Sequence, residues 1–314
     1  MIAPPWRIVF FGTPSFALTT LKNLIQGPET VVAVITQPDR RKGRGLKVIF
    51  SPVKELTLQF GLPLFQPENV KEEAFHEKLR GLGPDLFVAV AYGKILPKSL
   101  LNIPKYGAVN VHASLLPKYR GAAPMAWTIL KGEKVTGVTT MMMDEGMDTG
   151  DILVQKDIPV EEEETGETLH DKLAKLGAQL LLETMARMKE GNIRPTPQDH
   201  SRATYAPPIR KEDAYIDWTK EAIEIDRQVR AFNPSPGALT KWAGQLLKIY
   251  RGEVRKGTPK AKAGVVVWVG SDFIEVETGK DSFLIKEVQL EGKKRMDIRD
   301  FLSGHPISVG TVFG

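Results

Sequence analysis

Three short, continuously apolar segments constrain the fold of this chain more than any other feature. Residues 7–11, 31–36 and 86–91 each run into a turn that contains glycine or proline, and a helical pattern at 16–25 separates the first two. Strands buried on both faces appear as unbroken apolar runs, and parallel strands need a crossover between them. The sequence therefore predicts an α/β fold with a Rossmann-like, doubly wound and mostly parallel sheet.

The turn after the first predicted strand argues against a nucleotide cofactor. Residues 12–16 lack the G-x-G-x-x-G pattern of dinucleotide-binding folds, and the chain has no Walker loop. Pro14 and Phe16 would also obstruct the close approach of a pyrophosphate. A nicotinamide or nucleoside triphosphate cofactor is therefore not expected.

Composition narrows the environment in which we expect the chain to act. It contains no cysteine, which excludes disulfides, thiolate metal sites and a cysteine nucleophile, and which fits a reducing cytoplasm. No apolar run approaches the roughly 20 residues of a membrane span, and we expect no export signal at the N-terminus. These features predict a cytoplasmic protein.

The pattern of the chain changes after a polar stretch with several prolines. With 314 residues the chain is long enough for two domains. Beyond residue 208 a helical pattern is followed by short strands with glycine turns, which is typical of a small antiparallel barrel. We therefore predict an α/β domain at 1–190, a linker at 191–208 and an OB-like antiparallel β-barrel domain at 209–314.

Two segments concentrate positive charge in a chain of net charge +5: residues 37–47 and residues 248–262. Basic segments of this kind are either solvated surface or contacts to the phosphates of a nucleic acid. Composition alone leaves both interpretations open.

Asn110 and His112 lie two residues apart in an apolar, β-branched run. In a strand, both side chains would share one face. His112 is the only histidine at the end of an apolar strand, and we expect the other four to be solvated: His76, His170, His200 and His305. No metal-ligand spacing and no G-x-S-x-G elbow accompany His112.

Asp148 lies in an acidic turn much further along the chain, so its proximity to His112 is an assumption. If the three residues meet, an amide and an imidazolium can stabilise an oxyanion while a carboxylate accepts a proton. That combination suits acyl transfer without a covalent intermediate. The alternative is a hydrogen-bonded core histidine.

Several motifs spread over the chain resemble one known family. They are residues 11–14, 37–39 with 43–45, 91–93, 110–117, 120–124 and 147–150, followed by 205–207, 216–218 and 233–238. Together they resemble the folate-dependent formyltransferases, and within them the family whose substrate is methionyl-tRNA.

The resemblance implies transfer of a formyl group from 10-formyltetrahydrofolate to the α-amine of methionine on initiator tRNA. Asn110 and His112 would hold the formyl oxygen. Asp148 would pair with His112 and, through water, relay a proton from the attacking amine to N10 of the folate. The implied folate crevice comprises Val90, Tyr92, Gly93, Ile95, Leu96, Ser114, Leu115, Leu116, Pro117, Asp144, Gly146 and Met147. The implied tRNA contacts are Arg40, Arg41, Lys42, Arg44, Lys47, Lys248 and Arg251, with Arg44 on the acceptor arm. No metal is implied, and we expect a monomer.

Two alternatives remain at this point. The same three residues could formylate a small amine, such as an amino sugar or glycinamide ribonucleotide. A sugar enzyme would not need the basic segment at 37–47, and a ribonucleotide enzyme would need a glycine-rich phosphate turn after the first strand. The second alternative is a non-catalytic RNA-binding relative, which would bind tRNA without turnover.

Overall fold

The computed structural model describes residues 4–42 and 47–314, and the chain divides into two compact units. The first unit runs to Pro124 and also includes Val135–Pro159 and His170–Pro207. The second unit comprises Met125–Lys134, Val160–Leu169 and Pro208–Gly314.

A seven-stranded sheet organises the first unit, in the order β5-β2-β1-β6-β7-β8-β9. The strands of this unit, including a short hairpin of β3 with β4, are β1 (Arg7–Gly12), β2 (Thr30–Ile35), β3 (Arg40–Lys42), β4 (Lys47–Ile49), β5 (Leu64–Phe65), β6 (Leu86–Val90), β7 (Ala108–His112), β8 (Val135–Met142) and β9 (Ile152–Pro159). The five strands from β5 to β7 pair in parallel, whereas β8 and β9 are antiparallel. The predicted mostly parallel sheet is confirmed.

Helices occupy the connections between these strands. They are α1 (Phe16–Gln26), α2 (Pro52–Gln59), α3 (Glu73–Gly81), α4 (Lys98–Leu101), α5 (Pro124–Leu130) and α6 (Gly166–Lys189). Alternate residues of β1, β2 and β6 pack with Phe75 and Leu79 of α3 and with Leu100 of α4 in one buried cluster. On the opposite face, Gly177 of α6 lies against Val111 and Val138. Burial on both faces explains why these strands are apolar at almost every position.

An antiparallel sheet forms the core of the second unit, in the order β10-β11-β14-β13-β12, with β15 paired to β14. Its elements are α7 (Ala222–Ala231), β10 (Ala238–Trp242), β11 (Gln245–Arg255), β12 (Val266–Val269), β13 (Ile274–Glu277), β14 (Ser282–Leu290), β15 (Met296–Asp297) and α8 (Ile298–Gly304). Ile225 and Val229 of α7 and Phe301 of α8 join the core of this sheet. The predicted antiparallel C-terminal sheet is confirmed.

Two features of the first unit differ from the sequence predictions. His76 was expected to be solvated, but it is only 1 % exposed, and its Nε2 lies 2.8 Å from the carbonyl oxygen of Val70. A histidine on an amphipathic helix can face the core when a backbone oxygen supplies its hydrogen bond. Strand β9 was not anticipated, because most of its residues are exposed or half-exposed and it lacks a clear apolar period.

Across the described part of the chain, no helix has the length and apolar character needed to cross a bilayer.

Candidate active site

Strand β7 presents Asn110 and His112 at the carboxyl end of the parallel strands. It lies between β6 and β8, with Asn110 opposite Ala89 and Met141 and with His112 opposite Thr139. Val109 and Val111 point to the other face and are buried. The predicted strand, with both polar side chains on one face, is confirmed.

Asp148 comes from the loop between β8 and β9 and reaches both residues of β7. Its Oδ2 lies 3.6 Å from Nδ1 of His112, and its Oδ1 lies 3.4 Å from Nδ2 of Asn110. The backbone N–H of Gly121 donates a hydrogen bond of 2.8 Å to Oδ2. The assumed proximity of Asp148 to the two strand residues is therefore present in the structure.

The two ring nitrogens of His112 have different environments. Nε2 lies 2.9 Å from the carbonyl oxygen of Tyr119, which can only accept a hydrogen bond. Nε2 is therefore the nitrogen that carries a proton towards the Tyr119 carbonyl, and Nδ1 is the nitrogen that faces Asp148. The His112 side chain is only 6 % exposed, so Nδ1 and the carboxylate face each other in a confined space.

The backbone at Asp148 adopts a conformation that few residues accept. Its φ is 55°, in the left-handed region, where aspartate is tolerated better than most residues. Two residues later, a Cβ atom at Gly150 would lie 1.8 Å from the carbonyl oxygen of Met142, so only glycine fits there. The chain folds back at this point and directs the Asp148 carboxylate towards β7.

The loop before Asp148 is closed by its own acidic residue. Asp144 Oδ1 accepts hydrogen bonds from the backbone N–H of Gly146 at 3.0 Å and from the hydroxyl of Thr149 at 2.7 Å. Asp144 therefore shapes the loop from within. Among the described residues, no group of three or more histidine, aspartate or glutamate side chains is arranged to hold a metal ion.

The residues predicted to line a folate crevice differ widely in exposure. Five of their side chains are buried in the structure: Val90, Tyr92, Leu96, Ser114 and Leu116. Ile95 and Met147, by contrast, are 60 % and 52 % exposed. One lies in the loop after β6 and the other directly precedes Asp148, so both can offer apolar surface to an aromatic ligand.

The basic segment at 37–47 is anchored at its start. Lys54 Nζ of α2 pairs with Asp39 at 2.5 Å, and Gln66 donates to the other oxygen of Asp39 at 3.0 Å. The hydrogen bond from Lys54 is the main reason that the pKa of Asp39 is lower than usual. Gln37, two residues earlier, donates to the carbonyl oxygen of Tyr92. The start of the segment is thus connected to the loop after β6.

The predicted tRNA contacts are in part engaged elsewhere. Lys248 Nζ donates to the carbonyl oxygen of Pro236 at 2.7 Å, and Arg251 forms an exposed ion pair of 2.7 Å with Asp297. The backbone of Arg40–Lys42 pairs with that of Lys47–Ile49. Arg44 lies outside the described residues.

Tyr92 has a buried hydroxyl for which the described residues provide no hydrogen-bond partner. Burial raises the pKa of this phenol to about 12. We expect Tyr92→Phe to raise the free energy of unfolding by about 1 kcal/mol, because it removes an unsatisfied buried polar group. Urea unfolding of both proteins at pH 7 measures this difference.

The same tyrosine should make stability depend on alkaline pH. The folded protein holds the phenol proton up to about pH 12, whereas the unfolded chain releases it near pH 10, so stability falls between these values. The Tyr92→Phe protein should lack this component. Tyr205→Phe, at a side chain that is 65 % exposed, is the matched control. A lower stability of Tyr92→Phe at pH 7 would contradict the prediction.

Comparison with known proteins gives concordant results along nearly the whole chain. Residues 6–185 match the family model described as formyl transferase, and residues 208–306 match the formyl transferase C-terminal domain. The methionyl-tRNA formyltransferase of Trichlorobacter lovleyi is 50 % identical over 98 % of this chain and 96 % of its own length. That of Caldanaerobacter subterraneus is 50 % identical over 98 % of this chain and 99 % of its own length.

Solved structures with a similar fold are much more distant in sequence. HypX from Aquifex aeolicus, in complex with tetrahydrofolic acid, has a TM-score of 0.65 at 18 % identity and is matched by 98 % of this chain over 50 % of its own length. An N-formyltransferase from Helicobacter canadensis, in complex with folinic acid and dTDP-3-aminofucose, has a TM-score of 0.65 at 18 % identity, over 89 % of this chain and 98 % of its own. At this identity the likeness shows the fold alone.

Proposed function

The chain belongs to the formyl transferase family and, within it, to the methionyl-tRNA formyltransferases, and we propose that Asn110, His112 and Asp148 carry out its reaction. The enzyme transfers the formyl group of 10-formyltetrahydrofolate to methionyl-tRNA. The observation that carries the assignment is the convergence of the three side chains, with Asp148 within 3.6 Å of His112 and 3.4 Å of Asn110.

Each of the three residues has a distinct role in direct transfer. The α-amine of methionine attacks the formyl carbon, and the resulting oxyanion accepts hydrogen bonds from Nδ2 of Asn110 and from protonated Nδ1 of His112. Asp148 accepts the proton that the amine loses and returns it to N10 as the bond between that nitrogen and the formyl carbon breaks. No covalent intermediate with the enzyme is needed.

The folate crevice is proposed to lie beside these residues, at the carboxyl ends of β6 and β7, where open α/β sheets bind ligands. The exposed side chains of Ile95 and Met147 would cover the pterin ring. The buried members of the predicted set, Ser114 and Leu116 among them, would support the wall of the crevice, since Thr139 and Gln155 already occupy the N–H and carbonyl groups of Leu116 and Thr139 occupies the carbonyl of Ser114.

The tRNA is proposed to bind the basic segment at 37–47 and the antiparallel domain. Arg44 would contact the acceptor arm, and Arg40, Arg41, Lys42, Lys47, Lys248 and Arg251 would contact phosphates. Initiator tRNA is the proposed substrate, since its methionine is the residue that starts translation. We propose that the enzyme works in the cytoplasm as a monomer.

The two alternative functions receive less support. The N-formyltransferase from Helicobacter canadensis, whose structure holds dTDP-3-aminofucose, is only 18 % identical to this chain, whereas methionyl-tRNA formyltransferases are 50 % identical over nearly its full length. A non-catalytic RNA-binding protein would have no reason to keep Asn110, His112 and Asp148 together. Formyl transfer to charged tRNA, compared with free methionine, tests all three functions directly.

The salt dependence of the reaction tests the contribution of the basic segment. We expect log kcat/KM for charged tRNA to fall linearly with log salt concentration, and Arg44→Ala to reduce the slope by about 0.7–0.9. Because Arg44 does not touch the reacting groups in this proposal, kcat at saturating tRNA should be unchanged.

The matched control for Arg44→Ala is Lys22→Ala, at an exposed lysine of α1 outside the basic segment. It should leave both the slope and kcat as they are. Efficient turnover of free methionine, with no dependence on salt, would overturn the choice of substrate while keeping the chemistry.

A further inference from the structure

Gln198 lies in the segment that the sequence suggests as a linker, yet its side chain is only 6 % exposed. Its Nε2 donates to the carbonyl oxygen of Asp148 at 2.9 Å and to that of Gly150 at 2.7 Å. Its Oε1 accepts two hydrogen bonds from Arg120, at 3.1 Å from Nε and 2.6 Å from Nη2. Both donors and both lone pairs of the amide are therefore in use.

These bonds hold the backbone on which the proposed catalytic carboxylate depends. A left-handed backbone costs about 1 kcal/mol or more for a residue other than glycine, so the surroundings must hold Asp148 in place. One amide group of Gln198 binds the carbonyls of Asp148 and Gly150 and so fixes the turn that aims the carboxylate.

Arg120 completes the arrangement from the other side. Arg120 as a whole is only 2 % exposed, and within the described residues the hydrogen-bond acceptors of its guanidinium group are the amide oxygen of Gln198 and Nδ1 of His200. Neither acceptor carries a negative charge. A buried cation that is bound only to neutral acceptors costs more than a neutral side chain in the same place, so stability alone does not account for it.

The residue after Arg120 binds Asp148 directly. The N–H of Gly121 donates to Oδ2, and the peptide of Arg120 is fixed by hydrogen bonds of 2.9 Å to Thr204 and 2.8 Å from Ala206. A Cβ atom at Gly121 would lie 2.8 Å from the carbonyl oxygen of Ala206, so this close approach requires glycine. The same short segment thus holds the carboxylate through its backbone and the turn through the Arg120 side chain.

We infer that Gln198 and Arg120 are positioning residues for formyl transfer, and that they act by fixing Asp148 against His112. The inference rests on the catalytic role proposed above for Asp148. Neither residue needs to touch a substrate. Gln198 fixes the backbone of the 148–150 turn. Arg120 holds Gln198 through its side chain and orients the Gly121 N–H through its backbone. In this proposal the segment at 196–206 contributes to the catalytic site by positioning Asp148.

Gln198→Glu tests the inference without removing bulk. A carboxylate keeps the contacts to Arg120, now as an ion pair, but it cannot donate to the two carbonyls. We expect kcat to fall about 10- to 100-fold, as misplacement of a reacting group by about 1 Å does, while the KM values for charged tRNA and formyl donor change less than twofold. Gln228→Glu is the matched control, because Gln228 also bridges two backbone carbonyls, those of Asp213 and Tyr215, in the second unit.

A double-mutant cycle separates positioning from general damage to the fold. In the Asp148→Asn background, Gln198→Glu should lower kcat by less than threefold, because the group that it positions is already disabled. Fully additive losses, or a wild-type kcat in Gln198→Glu, would overturn the positioning role. If Asp148→Asn itself retained wild-type kcat, the catalytic role of Asp148 would fail, and that result is distinct from the first two.

Discussion

Replacing His112 by alanine should lower kcat by roughly 10²- to 10⁴-fold, the usual effect of losing a positioned proton donor or oxyanion partner. Nδ1 of His112 faces Asp148, and the second ring nitrogen, Nε2, is held by the Tyr119 carbonyl. The charge that develops on the formyl oxygen would lose one of its two donors. Single-turnover formyl transfer with saturating charged tRNA measures the effect.

A second substitution shows whether the loss comes from the chemistry. His112→Gln keeps an amide that can donate to the Tyr119 carbonyl, so it should fold like the wild type while losing comparable activity. The affinity for charged tRNA should change little in both variants, since neither removes a phosphate contact. His170→Ala, at a partly exposed histidine of α6, is the control. A fall in kcat of less than tenfold for His112→Ala would contradict a catalytic role and would favour the alternative, a hydrogen-bonded core histidine.

Local periodicity accounts for what the sequence predicted well. The alternation of Asn110 and His112 with two valines is a property of five consecutive residues of one strand, and the structure keeps it. The apolar runs of β1, β2 and β6 predicted a mostly parallel sheet because both faces of these strands are covered by helices. In each case the signal lies within a few residues of the feature that it predicts.

The parts that sequence reasoning missed depend on contacts between distant positions. Gln198 binds the carbonyl of Asp148, which is 50 residues away in sequence, and the side chain of Arg120, which is 78 residues away. No periodicity in the sequence distinguishes a single glutamine in a proline-containing stretch. The ion pair of Arg251 with Asp297 could not be predicted either, because a count of charges along the chain does not show which residues are neighbours in the folded sheet. A signal existed only for Asp148, where the glycine two residues later indicated a tight turn.

Asp148→Asn should also lower kcat by roughly 10²- to 10⁴-fold, although it changes almost nothing in shape. Asparagine tolerates the left-handed backbone, and its side-chain oxygen can still accept the hydrogen bond from Gly121. The variant loses the negative charge, the capacity to accept a proton and the acceptor oxygen that lies 3.4 Å from Nδ2 of Asn110. The KM values for both substrates should therefore remain close to those of the wild type.

Asp148→Ala provides the complementary measurement, because it removes the whole carboxylate and leaves space beside His112. If the carboxylate acts by accepting the proton of the attacking amine, added formate or acetate should restore part of the activity of Asp148→Ala, and it should not restore that of Asp148→Asn, where the amide fills the space. If Asp148 only orients His112, a mobile carboxylate would restore neither variant, because it is not tied to the Gly121 N–H and to the turn held by Gln198. Rescue of Asp148→Ala but not of Asp148→Asn therefore identifies proton transfer as the role of Asp148. Near-normal turnover of Asp148→Ala without added carboxylate would contradict that role.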